Sequence, residues 1–145
     1  CDLSIAAEHA RFGQAGPRVG SFDGGFGSAY LARVVGEKRA REIWFLLDQY
    51  DAEQAERWGL VNRVVPKEEL IPTAKAWVEK FARYSPTALR FLKHSFNADT
   101  DHQAGLSALS QAGLDVFSVT DEAKEGANAF AEKRQPDFAK YQISP

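Results

Sequence analysis

The chain has 145 residues, of which 44% are hydrophobic and 26% are charged, and this balance is ordinary for a globular domain with a buried core. Its formal net charge of -2 lacks the basic excess of a phosphate-binding surface, which argues against nucleic acid as a partner. The single Cys1 cannot form an intrachain disulfide, and no apolar run reaches the roughly 20 residues of a membrane helix, so we expect a cytoplasmic protein with no membrane partner.

The first part of the chain predicts two short strands and a long loop. Mixed apolar runs of strand length occupy residues 2–7 and 10–12. From Gly13 to Gly25, turn-forming residues are too dense for either regular element. Because the chain has no Met and opens like the middle of a strand, we expect it to be part of a longer protein whose N-terminal half contributes to function.

Amphipathic periodicity predicts helices through most of the remaining sequence. The first runs from Phe26 to Val35, with Asp23 or Ser21 as its N-cap and Gly36 at its end. A capping box formed by Asp51 and Gln54 is expected to open the third helix. The later helices are predicted at residues 37–48, 51–59, 70–81, 86–98, 106–117 and 121–133, with a buried strand at 60–65 and a tail at 135–145.

The glycine-rich loop surrounds one carboxylate, Asp23, and has the spacing of neither a Walker loop nor a dinucleotide fingerprint. Glycines let backbone N–H groups approach a ligand, and the helix N-terminus that follows favours a negative charge, so Asp23 is predicted to be ionised. The residues alone explain Asp23 and Ser21 equally well as helix caps at a tight turn. The three histidines lack the spacing of metal ligands, and no metal is predicted.

Three stretches carry a resemblance to a known family: CDLSIAAEHARFGQAGPRVGSFDGGFGSAYLARVVGEKRAREIW, AERWGLVNRVVP and EGANAFAEKRQPDF. The chain resembles, over essentially its whole length, the C-terminal half of the 1,4-dihydroxy-2-naphthoyl-CoA synthases of the crotonase (enoyl-CoA hydratase/isomerase) superfamily. The CDLxIAA and GLVNxVVP motifs are shared widely in that superfamily, whereas GQxGPxVGSFDGG and KRxPDF are more particular. The resemblance implies the C-terminal portion of an α/β crotonase fold, with a ββα spiral core over 1–66 and a helical trimerisation and CoA-contacting region over 67–145.

The same resemblance implies a lyase that closes the ring of o-succinylbenzoyl-CoA by an intramolecular Claisen condensation in menaquinone synthesis. Asp23 and Ser21 would contact the succinyl carboxylate and the forming ring. In one subgroup, the matching pocket holds hydrogencarbonate as the catalytic base, where the other subgroup carries an Asp at the position of Gly16. The residues that match this bicarbonate pocket are Gln14, Ala15, Gly16 and Trp44.

The resemblance also implies a homo-oligomer, a trimer or a dimer of trimers, that binds an acyl-CoA thioester. Phe130 and Lys133 match residues that meet the CoA adenine and phosphates, usually from a neighbouring subunit. Ala15, Ser21 and Ser118 complete the predicted substrate-binding set. Ser118 stands where the family has a catalytic Tyr, and the two oxyanion-hole N–H groups of the superfamily lie upstream of the CDL motif.

Two enzymatic alternatives and one structural alternative stay open. A ring-opening β-ketoacyl-CoA hydrolase shares the GQxGPxxGSxD core, and an enoyl-CoA hydratase or isomerase shares the superfamily motifs. A non-catalytic oligomerisation fragment is the alternative from another class, because the chain by itself lacks the oxyanion donors. The SFDGG motif favours the synthase, whereas Ser118 weakens that assignment.

Overall fold

The computed structural model describes residues 1–142 and divides into two compact units, each built from two separate stretches of chain. Unit 1 comprises Cys1–Phe12 and Gln49–Ala104, and unit 2 comprises Gly13–Asp48 and the chain from Gly105 onward. The sequence-based division into a spiral core over 1–66 and a helical region over 67–145 concerns function and does not describe compact units. It stays a prediction. The strands are β1 (Ile5–Ala7), β2 (Arg11–Phe12), β3 (Tyr50–Asp51) and β4 (Arg63–Val65). The α-helices are α1 (Gly27–Val35), α2 (Glu37–Leu46), α3 (Ala52–Arg57), α4 (Leu70–Phe81), α5 (Pro86–Ala98), α6 (Ala104–Phe117) and α7 (Asp121–Ala131).

Unit 1 contains two small sheets and a core of small side chains. β1 runs parallel to β4, and β2 runs antiparallel to β3. Ala6, Ala52, Ala55 and Val61 form the buried cluster, with Ala52 and Ala55 fully buried. Because alanines leave little volume between elements, α3 lies close to the strands that flank it.

The predicted capping box at the start of α3 is confirmed. The Gln54 amide donates to Asp51 Oδ1 over 2.8 Å, and the Asp51 amide donates to Gln54 Oε1 over 3.1 Å. The strand predicted at 60–65 is shorter than expected and begins only at Arg63. The amides of Leu60 and Val61 bond back to the Ala55 carbonyl, so the first two residues close the helix end and cannot join the sheet.

Unit 2 consists of a 3-10 turn at Gly16–Val19 and the helices α1, α2, α6 and α7. The predicted helices of this unit are confirmed to within about two residues at most ends, the usual uncertainty of a helix boundary. Gly36 has a φ of 82° and links α1 to α2, as its predicted place at a helix end requires. α1 and α2 pack against each other, and α7 packs on the 3-10 turn.

The segment predicted as a tail is held to α7 by one carboxylate. Glu125 accepts hydrogen bonds from both terminal nitrogens of Arg134, at 2.6 and 3.0 Å, and from the Asp137 amide at 2.8 Å. The Arg134 side chain and the Asp137 amide together lower the pKa of Glu125 to about 2. The tail is therefore anchored as far as Asp137 and forms a 3-10 turn at Ala139–Tyr141, while its last three residues lie outside the described part.

Large apolar side chains are exposed on several helices. Phe91 and Phe96 of α5, Leu109 and Val116 of α6 and Phe130 of α7 each expose more than two thirds of their surface. These side chains form apolar faces that the described residues leave uncovered. Within residues 1–142, the helices are too short or too polar to cross a lipid bilayer.

Replacing Asp51 by Ala is expected to lower the free energy of unfolding by about 1 kcal/mol, because the first turn of α3 loses its cap. Asp51→Asn is the matched control, since Asn caps equally well but carries no charge. Chemical unfolding of the full-length protein measures both variants. Equal losses for Ala and Asn would assign the effect to the carboxylate charge and remove the cap as its cause.

Candidate active site

The glycine-rich loop closes on the start of α1 through Asp23. Asp23 Oδ1 accepts hydrogen bonds from the amides of Gly25 and Gly27, both at 3.1 Å, and Oδ2 accepts one from the Ser28 amide. These amides belong to the first turn of the helix and its approach, where N–H groups have no intrahelical partner. Asp23 therefore caps the first turn of α1 from three residues before the N-cap position, Phe26, whereas the alternative cap Ser21 makes no such bond.

The electrostatics of Asp23 favour its ionised form. Partial burial raises the pKa of Asp23, but hydrogen bonds from the Ser28 amide and hydroxyl and from the Gly25 and Gly27 amides outweigh that effect. The net result is a pKa below the ordinary value of 3.8, which confirms the predicted ionisation. A carboxylate whose pKa lies below its ordinary value holds a negative charge at neutral pH and is a weak proton acceptor.

A cavity of about 500 Å³ lies within unit 2, and Asp23 is one of the residues that line it. The loop and α1 supply Asp23 and Ser28, and α2 supplies a second carboxylate, a guanidinium and an indole. The lining residues are Pro17, Phe22, Asp23, Ser28, Ala29, Ala32, Glu37, Ala40, Arg41, Trp44, Phe45 and Ser110.

Trp44 is the second predicted site residue in this cavity. Its Nε1 atom is buried and has no hydrogen-bond partner within the described residues, whereas a buried indole N–H usually has one. The Trp44 ring thus lines the cavity, while its buried Nε1 lacks, among the described residues, a partner that packing of the ring alone does not supply.

Glu37 and Arg41 line the cavity without having been predicted as site residues. The Arg41 side chain is 63% exposed, yet it also borders the cavity and pairs with Glu37 Oε2 over 3.2 Å. The signal was available, because Glu37, Arg41 and Trp44 follow one another at helical intervals of four and three residues.

The other predicted loop residues lie beside the cavity lining and not in it. Gln14, Ala15, Gly16 and Ser21 are absent from the wall, although their neighbours Pro17 and Phe22 belong to it. The Gly16 carbonyl accepts a hydrogen bond from the Ser21 amide at 2.9 Å, which folds this part of the loop back on itself. The structure therefore brings together two residues of the predicted site, Asp23 and Trp44.

The predicted substrate-binding residues of the C-terminal helices also lie away from the cavity wall. Ser118 follows α6, and its amide donates to the Leu114 carbonyl at 2.8 Å. Phe130 is 72% exposed on α7, and Lys133 just after α7 has a φ of 54° in the left-handed region. Their contact with CoA stays a prediction. Within residues 1–142, His, Cys, Asp and Glu side chains form no group of three or more that could hold a metal ion.

Solved structures place the fold in one class. A carnitinyl-CoA hydratase from Mycobacterium avium superimposes with a TM-score of 0.85 at 30% identity, over 94% of this chain and 54% of its own. An enoyl-CoA hydratase from Mycobacterium avium subsp. paratuberculosis gives 0.83 at 29% identity, over 95% and 56%. A methylmalonyl-CoA decarboxylase gives 0.80 at 26% identity, over 94% and 55%. The structure is therefore part of a crotonase domain, as predicted, and spans a little over half the length of these relatives.

The family follows from the sequence match. The enoyl-CoA hydratase/isomerase family model matches residues 1–141, so the chain belongs to the enoyl-CoA hydratase/isomerase family of the crotonase superfamily. Members of this superfamily are catalytic in general, and the family implies CoA thioester substrates.

The low pKa of Asp23 predicts how stability depends on pH. A carboxylate with a depressed folded-state pKa stabilises the fold above about pH 3.8, and that contribution is lost as the pH falls through the lower folded value. Asp23→Asn, which cannot titrate, should give a flatter stability curve below pH 3.8. Unfolding of both full-length proteins across pH 2–7 tests this. Parallel curves would contradict the assigned pKa direction.

Proposed function

We propose that the full-length protein closes the ring of o-succinylbenzoyl-CoA by an intramolecular Claisen condensation, as a 1,4-dihydroxy-2-naphthoyl-CoA synthase in menaquinone synthesis. The observation that carries the proposal is the cavity lined by both Asp23 and Trp44, whose buried Nε1 has no hydrogen-bond partner within the described residues. Family membership supports an acyl-CoA substrate. The SFDGG motif, whose Asp is one of the two carboxylates of this cavity, supports the particular reaction.

Asp23 would act on the substrate as a fixed negative charge. Three backbone amides and the Ser28 hydroxyl occupy its acceptor sites, and of these donors only the hydroxyl can rotate away to admit a substrate group. A donor on the substrate, such as the hydroxyl of an enol intermediate, would then bond to a carboxylate already held in place. Ser21 would add a weaker hydrogen bond, since its hydroxyl makes only a long 3.4 Å contact with the Phe22 carbonyl.

Arg41 would offset the negative charge that the substrate brings. It is the cation among the described residues of the cavity wall, and its partner Glu37 is an exposed carboxylate. An exposed ion pair of this kind contributes little stability, so the guanidinium can exchange Glu37 for the succinyl carboxylate of the substrate.

The residues fit a bound hydrogencarbonate at one point. Trp44 Nε1 is the buried donor left without a partner, and it would hold one oxygen of the ion, with Gln14, Ala15 and Gly16 as the remaining expected contacts. When bound, hydrogencarbonate would supply the base for the proton next to the thioester carbonyl. Because position 16 is a glycine, the chain itself provides no carboxylate there.

Enoyl-CoA hydration is the second candidate. Two carboxylates, Asp23 and Glu37, line one cavity, and hydration needs an acid and a base on the same substrate. Two of the similar structures carry hydratase names, and Ser118 departs from the synthase pattern. Assays of the full-length protein with a short enoyl-CoA and with o-succinylbenzoyl-CoA separate the two candidates. A cyclic β-ketoacyl-CoA tests the ring-opening hydrolase, and no turnover of any substrate would favour the non-catalytic alternative.

We further propose a homo-oligomer, a trimer or a dimer of trimers, in which Phe130 and Lys133 meet the CoA of a neighbouring subunit. The exposed apolar faces of α5, α6 and α7 support burial between subunits. Lys133 would bind a CoA phosphate as a point charge.

Asp23→Asn should lower the turnover of o-succinylbenzoyl-CoA by about 100-fold, the lower range for loss of one group that stabilises charge in the transition state. Asn keeps one oxygen that can accept from the Gly25 and Gly27 amides but loses the oxygen that accepts from Ser28, so thermal melts must report the loss of stability separately. Ser21→Ala should cost about 1 kcal/mol of transition-state stabilisation, the size of one hydrogen bond. Steady-state kinetics and thermal melts measure both. Wild-type turnover by Asp23→Asn would leave Asp23 with its capping role alone.

Depletion of bicarbonate should slow the full-length enzyme, and Gly16→Asp should reduce that dependence by supplying a carboxylate. A Cβ at position 16 lies 3.2 Å from the Ser21 carbonyl oxygen and 3.3 Å from Phe22 Cα, so any side chain there presses on the loop. Gly16→Ala is therefore the matched control, with the same Cβ and no carboxylate. Kinetics in bicarbonate-free buffer decide the point. Equal bicarbonate dependence in the Asp and Ala variants would overturn the role assigned to position 16.

A further inference from the structure

The segment between two predicted site residues, Gly16 and Asp23, is held against α7 through backbone contact. A Cβ at Gly126 of α7 would overlap the Gly20 amide nitrogen and lie 2.6 Å from the Val19 carbonyl carbon. A Cβ at Gly20 would in turn lie 2.9 Å from the Ala123 carbonyl carbon, and Gly20 itself has a φ of 74°. Because both sides are backbone, no rotamer change could make room for a side chain.

The same segment is held against α6 two residues later. The Phe22 ring lies over Gly113, where a Cβ would come within 2.9 Å of Phe22 Cζ. The ring also packs on Phe117, with ring centroids 5.8 Å apart at an interplanar angle of 54°. Ser21 therefore lies between two anchored residues, Gly20 and Phe22, and Asp23 follows directly.

Gly113 lies inside α6 and Gly126 lies inside α7, and a glycine at such a position lowers the stability of the helix. A glycine in the middle of a helix is less favourable than alanine by about 1 kcal/mol, so alanine at 113 and 126 would improve the helices themselves. Gly105, in the same helix as Gly113, has open space where a Cβ would stand. The loop comes close to Gly113 and Gly126 but not to Gly105. This close approach is the physical reason for glycine at positions 113 and 126.

We propose that Gly113 and Gly126 are positioning residues, which let α6 and α7 set the place of Ser21 and Asp23 through Phe22 and Gly20. This inference rests on the proposed function in one respect, namely that Ser21 and Asp23 take part in turnover. A displacement of about 1 Å at a reacting group can cost about 100-fold in rate, so a small outward shift of the loop is enough to be measured.

The experiment compares Gly113→Ala, Gly126→Ala and the control Gly105→Ala in the full-length protein. For the first two variants we expect kcat for o-succinylbenzoyl-CoA to fall by about 10- to 100-fold with little change in KM, and for the control no change. Hydrogen exchange gives a readout that needs no activity. The amides of Ser21, Gly25, Gly27 and Ser28 should exchange faster in Gly113→Ala and Gly126→Ala, while those of the α6 and α7 interiors do not.

Size compensation provides the rescue test. Phe22→Leu removes the ring atoms that a Cβ at position 113 would meet, so Gly113→Ala should cost much less kcat in the Phe22→Leu background than alone. If Gly126→Ala fails to fold, Gly113→Ala decides the question, because its contact is with a side-chain tip. Unchanged loop exchange, or faster exchange with wild-type kcat, would overturn the positioning role. An inactive wild-type protein would refute the proposed function, while the exchange data would still test the anchoring.

Discussion

The carboxylate of Asp23 and the amides that face it form the interaction on which the candidate site depends. The loop before α1 contains several glycines, so helix propensity would not hold it in one shape, and Phe22 is its ring contact with α6. Three backbone donors on one side chain tie the loop to the helix start. Since α1 packs on α2, the same bonds bring Asp23 to the cavity that α2 lines with Glu37, Arg41 and Trp44.

This arrangement favours one kind of chemistry for Asp23. The donors that hold the carboxylate also lower its pKa, so the geometry that fixes the group weakens it as a base. A second group must then accept a proton if the reaction begins by deprotonation. The cavity wall has Glu37 as its other carboxylate, paired to Arg41, and Trp44 as its unpaired donor. The two candidate functions differ in whether Glu37 or an ion held near Trp44 completes the site.

Local signals explain how much of the fold could be predicted. The capping box at Asp51 and the helix end at Gly36 each depend on a few neighbouring residues, and the structure has them where the sequence predicts them. Strand β4 was predicted too long because Leu60 and Val61 are apolar like strand residues, yet their amides close the end of α3. The pattern of apolar residues in a sequence does not show which carbonyl group accepts the hydrogen bond of a given backbone amide.

A site residue could be predicted from the sequence where its contacts are made with residues close to it in the chain. Asp23 follows a loop and precedes a helix, so its cap and its ionisation could be inferred from sequence. Arg41 looked like a surface residue, because whether an exposed face borders a cavity depends on where the neighbouring loop folds. The roles of Gly113 and Gly126 in packing were hidden for the same reason, since the partner residues are separated from them by about 90 to 105 positions along the chain.

Placement of the site and stability of the helices rest on different contacts. Asp23, Gly20 and Phe22 are set by hydrogen bonds and by backbone and ring contacts within unit 2. The described residues include no large side chain with less than 2% exposure, and the buried core consists mainly of alanine and valine. Because apolar burial supplies most of the driving force for folding, helices with exposed Phe and Leu depend on what covers those faces. The hydrogen bonds of Asp23 are therefore local, whereas Gly20 and Phe22 are held by α7 and α6, whose own stability depends on that cover.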